Sequence, residues 1–186
     1  HNQGKLTARE RVDLLFDTAL AHVQRGLETE FVSGNNDADG VYLLFWLRQR
    51  FPERPELFTH MQAKLEQWGG NSSGVNVANI DNLGNVHPDT MWWHYDLGNV
   101  RQRPFSEIWP DTTDPIMAGL KQSPRQIRGR CGGCQYFSIC GGNTRVRALQ
   151  LTGDPWAEDP ACYLSDQEIG IAPGNERLAV TPYSKE

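Results

Sequence analysis

The stretch Cys131-Gly132-Gly133-Cys134-Gln135-Tyr136-Phe137-Ser138-Ile139-Cys140-Gly141-Gly142-Asn143 decides how this chain is read. It holds three of the four cysteines, and with Cys162 the spacing is Cys-x2-Cys-x5-Cys-x21-Cys. Thiolates separated by two residues can face one metal centre when the turn between them folds back. Gly132 and Gly133 are expected to lower the steric cost of that turn. Gly141 and Gly142 are expected to leave backbone amides free to hydrogen-bond to sulfur. Four thiolates complete either an all-cysteine zinc site or a 4Fe–4S cluster. Zinc ribbons usually present two similar Cys-x2-Cys knuckles, whereas this chain has one knuckle and then wide, unequal gaps. The spacing therefore favours iron–sulfur, with zinc and unligated thiols as the alternatives. No cysteine precedes Cys131, which is unlike a disulfide scaffold and implies a reducing, cytoplasmic compartment.

Upstream of the cysteines the chain reads as α/β. Thr7 to Glu10 has the form of a capping box. Val12, Leu15, Ala19 and Val23 then recur at helical spacing, and Gly26 is the stop. Residues Glu30 to Ser33 are expected to form a short strand. Helices follow from Ala38 to Arg50, apolar on nearly all sides, and from Pro55 to Trp68, ended by Gly69 and Gly70. Helix, strand, helix is the order of the closing units of an α/β barrel or sheet. From Val75 the residues alternate to Ile80, Asp81-Asn82-Leu83-Gly84 supplies a turn, and Val86 resumes, which predicts a β-hairpin. Short helices are expected at Phe105–Trp109, Asp114–Lys121 and Asn143–Leu151, with a loose polar tail after Gly170.

Bulk properties narrow the function. Of the 186 residues, 38% are hydrophobic and 22% charged, enough for a packed core. A net charge of −5 argues against a general nucleic-acid binder. No apolar run approaches the roughly 18 residues that cross a bilayer, and His1 to Leu6 has no signal-peptide character. The first residue is His1 rather than Met, so the chain is expected to be the C-terminal piece of something longer.

The cysteine stretch resembles the C-terminal SPASM extension of radical S-adenosylmethionine (SAM) enzymes. So do the runs Ile80 to Pro88 and Leu97-Gly98-Asn99-Val100, which leads to Phe105 to Trp109. Within that superfamily the chain is similar to the branch that forms heme d1, on the runs Gly34 to Val41, Gln67 to Gly74, His87 to His94 and Asp154 to Cys162. The resemblance implies an α/β fold: the C-terminal helix-strand-helix units of a partial (β/α)6 barrel over residues 1–70, a small α+β SPASM iron–sulfur domain with a hairpin over 71–170, and a loose tail over 171–186. It also implies that Asp89 and Thr144 stand where the family places two further cysteines. The four present then match one auxiliary 4Fe–4S cluster.

The family's catalytic Cys-x3-Cys-x2-Cys motif does not occur in this sequence, and the chain alone is expected to be inactive. The resemblance implies an intact enzyme with a second 4Fe–4S cluster and SAM. Its 5′-deoxyadenosyl radical would act on propionate side chains of the tetrapyrrole 12,18-didecarboxysirohaem. A flavodoxin or ferredoxin would donate electrons. A peptide-modifying SPASM maturase, or a non-catalytic four-cysteine interaction module, is the alternative.

Other residues have two readings each. Trp92 and Trp93 can stack on a tetrapyrrole and His87 or His94 can ligate its iron, or all four can be a packed aromatic loop. Arg145 can pair a substrate carboxylate or tune the cluster's charge, or lie on an exposed helix face. Asn35 and Asn36 stand where barrels place contacts to SAM or substrate, or they cap a turn.

Overall fold

The computed structural model describes residues 5–34 and 36–172. Three long helices come first: α1 (Lys5–Gln24), α2 (Ala38–Arg50) and α3 (Pro55–Trp68). The bounds of α2 and α3 follow from local chemistry. Pro55 occupies the first turn of α3, where its missing N–H is not needed. Gly69 ends the helix in the left-handed conformation, its N–H donating to the Leu65 carbonyl. Helix α1 starts earlier than the capping box predicts, at Lys5, so Thr7 lies inside the helix rather than at its cap.

A three-stranded antiparallel sheet follows, in the order β1 (Asn79–Ile80), β2 (Asn85–His87), β3 (Gly98–Asn99). Its register pairs Ile80 with Val86 and Val86 with Gly98. The hairpin is shorter than the alternation predicts. Val75 and Val77 are exposed and precede the ladder, and Val77 makes an isolated bridge with Ser73 outside the sheet. The turn forms as its residues dictate: Asp81 accepts from the Leu83 and Asn85 amides at 2.9 and 2.8 Å. Residues 30–33 form no strand. A strand needs a neighbour for its ladder, and the sheet lies elsewhere in the fold.

Among the described residues four short helices follow: α4 (Phe105–Ile108), α5 (Pro115–Lys121), α6 (Phe137–Cys140) and α7 (Arg145–Thr152), with a 3-10 turn at Gly129–Gly133. Asp114 caps α5 by accepting from the Ile116 and Met117 amides, both at 2.9 Å. Two apolar cores result. One joins Val12 of α1 and Ala38, Val41 and Leu44 of α2 to Ile139, Tyr163, Leu164 and Ile169. The other gathers Trp92, Tyr95, Ile116, Met117, Leu120 and Val146 under the sheet. The first core crosses residue 70, so the leading helices and the cysteine segment share one interior. Most of the tail, 173–186, lies outside the described residues.

Candidate metal centre

Each cysteine is held by a local element. Cys131 sits in the 3-10 turn, and the Cys134 amide donates back to its carbonyl at 3.3 Å. Cys140 closes α6, which Gly141 terminates in the left-handed conformation. Cys162 follows α7 on a loop whose Cys162 amide donates to the Asp159 carbonyl at 3.2 Å. All four line one pocket, walled by Ala38 and Val41 of α2 and by Leu164 and Ile169. Gly132 is required for space rather than for a special backbone angle, since a Cβ there would lie 2.5 Å from the Ile127 carbonyl oxygen.

The electrostatics of the pocket suit sulfur ligands. Burial pushes the Cys131 thiol up to about 11 and the Cys140 thiol up to about 12, and raises Cys134 as well. Backbone amides oppose that rise. The Asp159 N–H donates to Cys131 Sγ at 3.4 Å, and the backbone of Tyr136 and Gly142 does the same for Cys134 and Cys140. Such donors stabilise thiolate over thiol and tune any metal bound. The thiols line the pocket without converging on a point: among the described residues no group of three or more His, Cys, Asp or Glu is preset for a metal ion. The donor set fits a four-thiolate group.

A polar network holds the cysteine loop. Asn143 has φ +63° and is buried. Its side-chain amide donates to Asn36 Oδ1 at 2.5 Å and Asp159 Oδ2 at 2.8 Å. Its side-chain oxygen accepts from the Asp37 and Thr144 amides. Asp159 in turn takes two hydrogen bonds from Arg147, each at 2.8 Å. Thus Asp159 binds Cys131 through its amide, Cys162 through its carbonyl, and α7 through its carboxylate. Reading the sequence for chemistry passes over both residues. The one local signal is Asn directly after a Gly pair, since Asn tolerates the left-handed region better than most residues.

Comparison with known proteins bears on the same residues. The chain is 54% identical over 176 residues to the pre-heme d1 synthase of Dinoroseobacter shibae, a match covering 94% of this chain and 43% of that protein. It is 42% identical over 167 residues to the Fe-coproporphyrin III synthase of Methanosarcina barkeri, covering 88% and 41%. Over nearly its whole length the chain is therefore similar to radical SAM synthases of the heme pathway. An AdoMet-dependent heme synthase of Nitratidesulfovibrio vulgaris matches more narrowly, 36% identical over 89 residues, covering 48% of this chain and 23% of that one. The chain spans about two fifths of the length of the first two relatives. No family model matches it, and no solved structure gives a significant match.

The remaining candidate residues scatter. His87 is buried in β2, its Nδ1 3.0 Å from the Tyr95 carbonyl oxygen, with Asp81 and Asp96 alongside. Trp92 is fully buried and stacks against His94 with centroids 6.0 Å apart. Trp93 is 75% exposed and meets the edge of His94. None of these four lines the cysteine pocket. Arg145 is fully buried and donates to the carbonyls of Gly142, Asn143, Pro155 and Ala157. Asn36 is tied to Asn143, and Asn35 lies outside the described residues. Asp89 is buried and accepts from the Ser73 hydroxyl and the Met91 amide. Thr144 is the N-terminal cap position of α7. Among the described residues no helix is long and apolar enough to cross a membrane.

Proposed function

We infer that this chain is the C-terminal part of a cytoplasmic radical SAM/SPASM enzyme of heme d1 formation and that it carries one auxiliary 4Fe–4S cluster. Residues 1–70 belong to the end of the partial barrel, and 71–170 form the cluster domain. Cys131, Cys134, Cys140 and Cys162 hold the cluster. The observation that carries this reading is that all four thiols line one pocket, with backbone N–H groups at three of the sulfurs. A cluster with four protein thiolates exchanges electrons and leaves no iron position open to substrate. The names of the relatives, pre-heme d1 synthase and Fe-coproporphyrin III synthase, support a tetrapyrrole as substrate.

The division of labour follows from the residues. This chain has no Cys-x3-Cys-x2-Cys, so cleavage of SAM belongs to another part of the enzyme, and a flavodoxin or ferredoxin supplies its electron. The propionate side chains of 12,18-didecarboxysirohaem are the groups acted on. A 4Fe–4S cluster held by Cys131, Cys134, Cys140 and Cys162 would supply an acceptor for the electron left on the substrate after fragmentation. Trp93 and His94 present the exposed aromatic surface on which a tetrapyrrole would stack. Asn36, through Asn143, couples the start of α2 to the cysteine loop.

The test is Cys134→Ala in the enzyme that contains this chain. SAM cleavage is expected to persist while product formation fails. An unaltered product yield would sink the reading. Anaerobic reconstitution of the chain with iron and sulfide separates the metals: four irons and matching sulfide are expected per chain, whereas tight zinc without sulfide refutes the cluster.

A further inference from the structure

Arg145 is a buried cation in a place where cations are disfavoured. It opens α7, is fully buried, and turns its guanidinium beneath the cysteine loop. Its Nη1 donates to the Ala157 and Pro155 carbonyls at 2.5 and 3.2 Å, its Nε to the Asn143 carbonyl at 3.4 Å, and its Nη2 to the Gly142 carbonyl. Every one of these acceptors is neutral. Three neighbouring arginines are different: Arg128 pairs with Asp154, Arg130 with Asp166 and Arg147 with Asp159; Arg125 is buried as well and donates to the Leu120 and Ser73 carbonyls and the Asn71 side chain. Glu158, also at the pocket, spends a carboxylate oxygen on the Arg130 amide. Among the described residues no carboxylate stands within ion-pair distance of Arg145.

A buried charge without a partner is costly and is rarely kept unless an anion shares the site. Two of the carbonyls it holds, those of Gly142 and Asn143, directly follow the Cys140-Gly141 step, and both residues line the pocket with the four cysteines. Asp159 already engages Arg147 through both oxygens. That leaves the sulfurs. We propose that Arg145 is a positioning residue that serves as the built-in counter-charge of the four-cysteine site, raising the reduction potential of the cluster that the four cysteines hold. The inference rests on the cluster reading above and goes beyond it by naming what sets the cluster's charge balance.

The physics fixes the sign. A cluster with four thiolates is anionic, and reduction adds one further negative charge. A cation held in a water-poor interior attracts the reduced state more than the oxidised one, so it favours reduction. Arg147 cannot substitute, because its charge is matched by Asp159. The fork also ties the carbonyls of residues 142 and 143 to those of 155 and 157, on the two sides of the pocket. A purely structural role for those four bonds is the rival to be separated.

Two variants of the 186-residue chain do that: Arg145→Gln, which removes the charge, and Arg145→Lys, which keeps it but loses the fork. Each is reconstituted anaerobically with iron and sulfide, assayed for both, and titrated for midpoint potential by electron paramagnetic resonance. Arg145→Lys is expected to load and to keep a potential close to wild type. In Arg145→Gln the reduced-to-oxidised ratio at fixed potential is expected to fall at least tenfold, a drop of about 59 mV for one electron. Loading by Arg145→Lys but not by Arg145→Gln also supports the charge role. The proposal is overturned if Arg145→Gln loads with a wild-type potential, if both variants share the same lowered potential, or if neither loads. Failure of the wild-type chain to take up iron and sulfide defeats the cluster reading itself, and so is told apart from failure of the charge role.

Discussion

Replacing Gly70 by Ala strikes the metal centre from outside its own loop. Gly70 has φ +72°, and a Cβ there would lie 2.3 Å from the carbonyl carbon of Cys140 and 2.6 Å from the Ile139 carbonyl oxygen. Ordinary contact begins near 3.4 Å, so the Cys140 backbone would have to retreat by about 1 Å. Gly69 is the matched control. Its φ is +77°, and its Cβ would meet nothing within 4 Å. Both alanines carry the left-handed backbone cost of about 1–2 kcal/mol. Only Gly70→Ala adds overpacking, worth about 1–3 kcal/mol. Against a total stability of about 5–15 kcal/mol, Gly69→Ala should be tolerated, whereas Gly70→Ala should lose about 2–5 kcal/mol, a large share of the margin. Urea denaturation of the metal-free chain measures the difference. Iron content after reconstitution gives a second readout, since a ligand misplaced by about 1 Å loosens a site. Equal losses of stability in the two variants, with wild-type iron in both, would refute the account of how α3 is packed against the cysteine loop.

Acid stability offers a test at the other end of the chain. Burial pushes the Glu168 carboxyl up, but hydrogen bonds from Arg9 and from the Ser165 amide and hydroxyl outweigh it and hold the group at about 2. A depressed carboxylate stabilises the fold above its ordinary value of 4.5 and loses that contribution as pH falls toward 2. Glu168→Gln should therefore flatten the pH dependence of unfolding within that window, and a variant as acid-sensitive as wild type would show that the Arg9 contact does not secure α1. The two tryptophans separate core from surface. Trp92→Ala should cost about 3–5 kcal/mol, read by thermal or urea unfolding. Trp93→Ala should leave stability unchanged and weaken tetrapyrrole binding, so unchanged tetrapyrrole affinity would remove Trp93 from the proposed surface.

Legibility divided along the range of the interactions involved. Helices α2 and α3, the cap at Asp114 and the turn at Asp81 were readable because each depends on residues within a turn of one another. The cysteine spacing was readable for the same reason, as was the family, through short strings around it. The strand expected at 30–33 did not form, and Val75 and Val77 fell outside the ladder, because pairing depends on a partner that alternation cannot name. The start of α1 moved past its capping box.

The site shows the same boundary. The sequence alone determined which four atoms can ligate a metal, since thiol chemistry and loop length are local properties. It also determined that no catalytic Cys-x3-Cys-x2-Cys is present. Only the tertiary structure decided that α2 walls the pocket, that Asn143 and Asp159 hold its loop, and that Trp92 is core while Trp93 faces outward. Only the fold decided that Arg145 is buried among the carbonyls of the cysteine loop rather than on an exposed helix face. The physical reason is that burial and charge compensation are set by whatever packs over a residue, and in a folded chain that cover comes from segments distant in sequence.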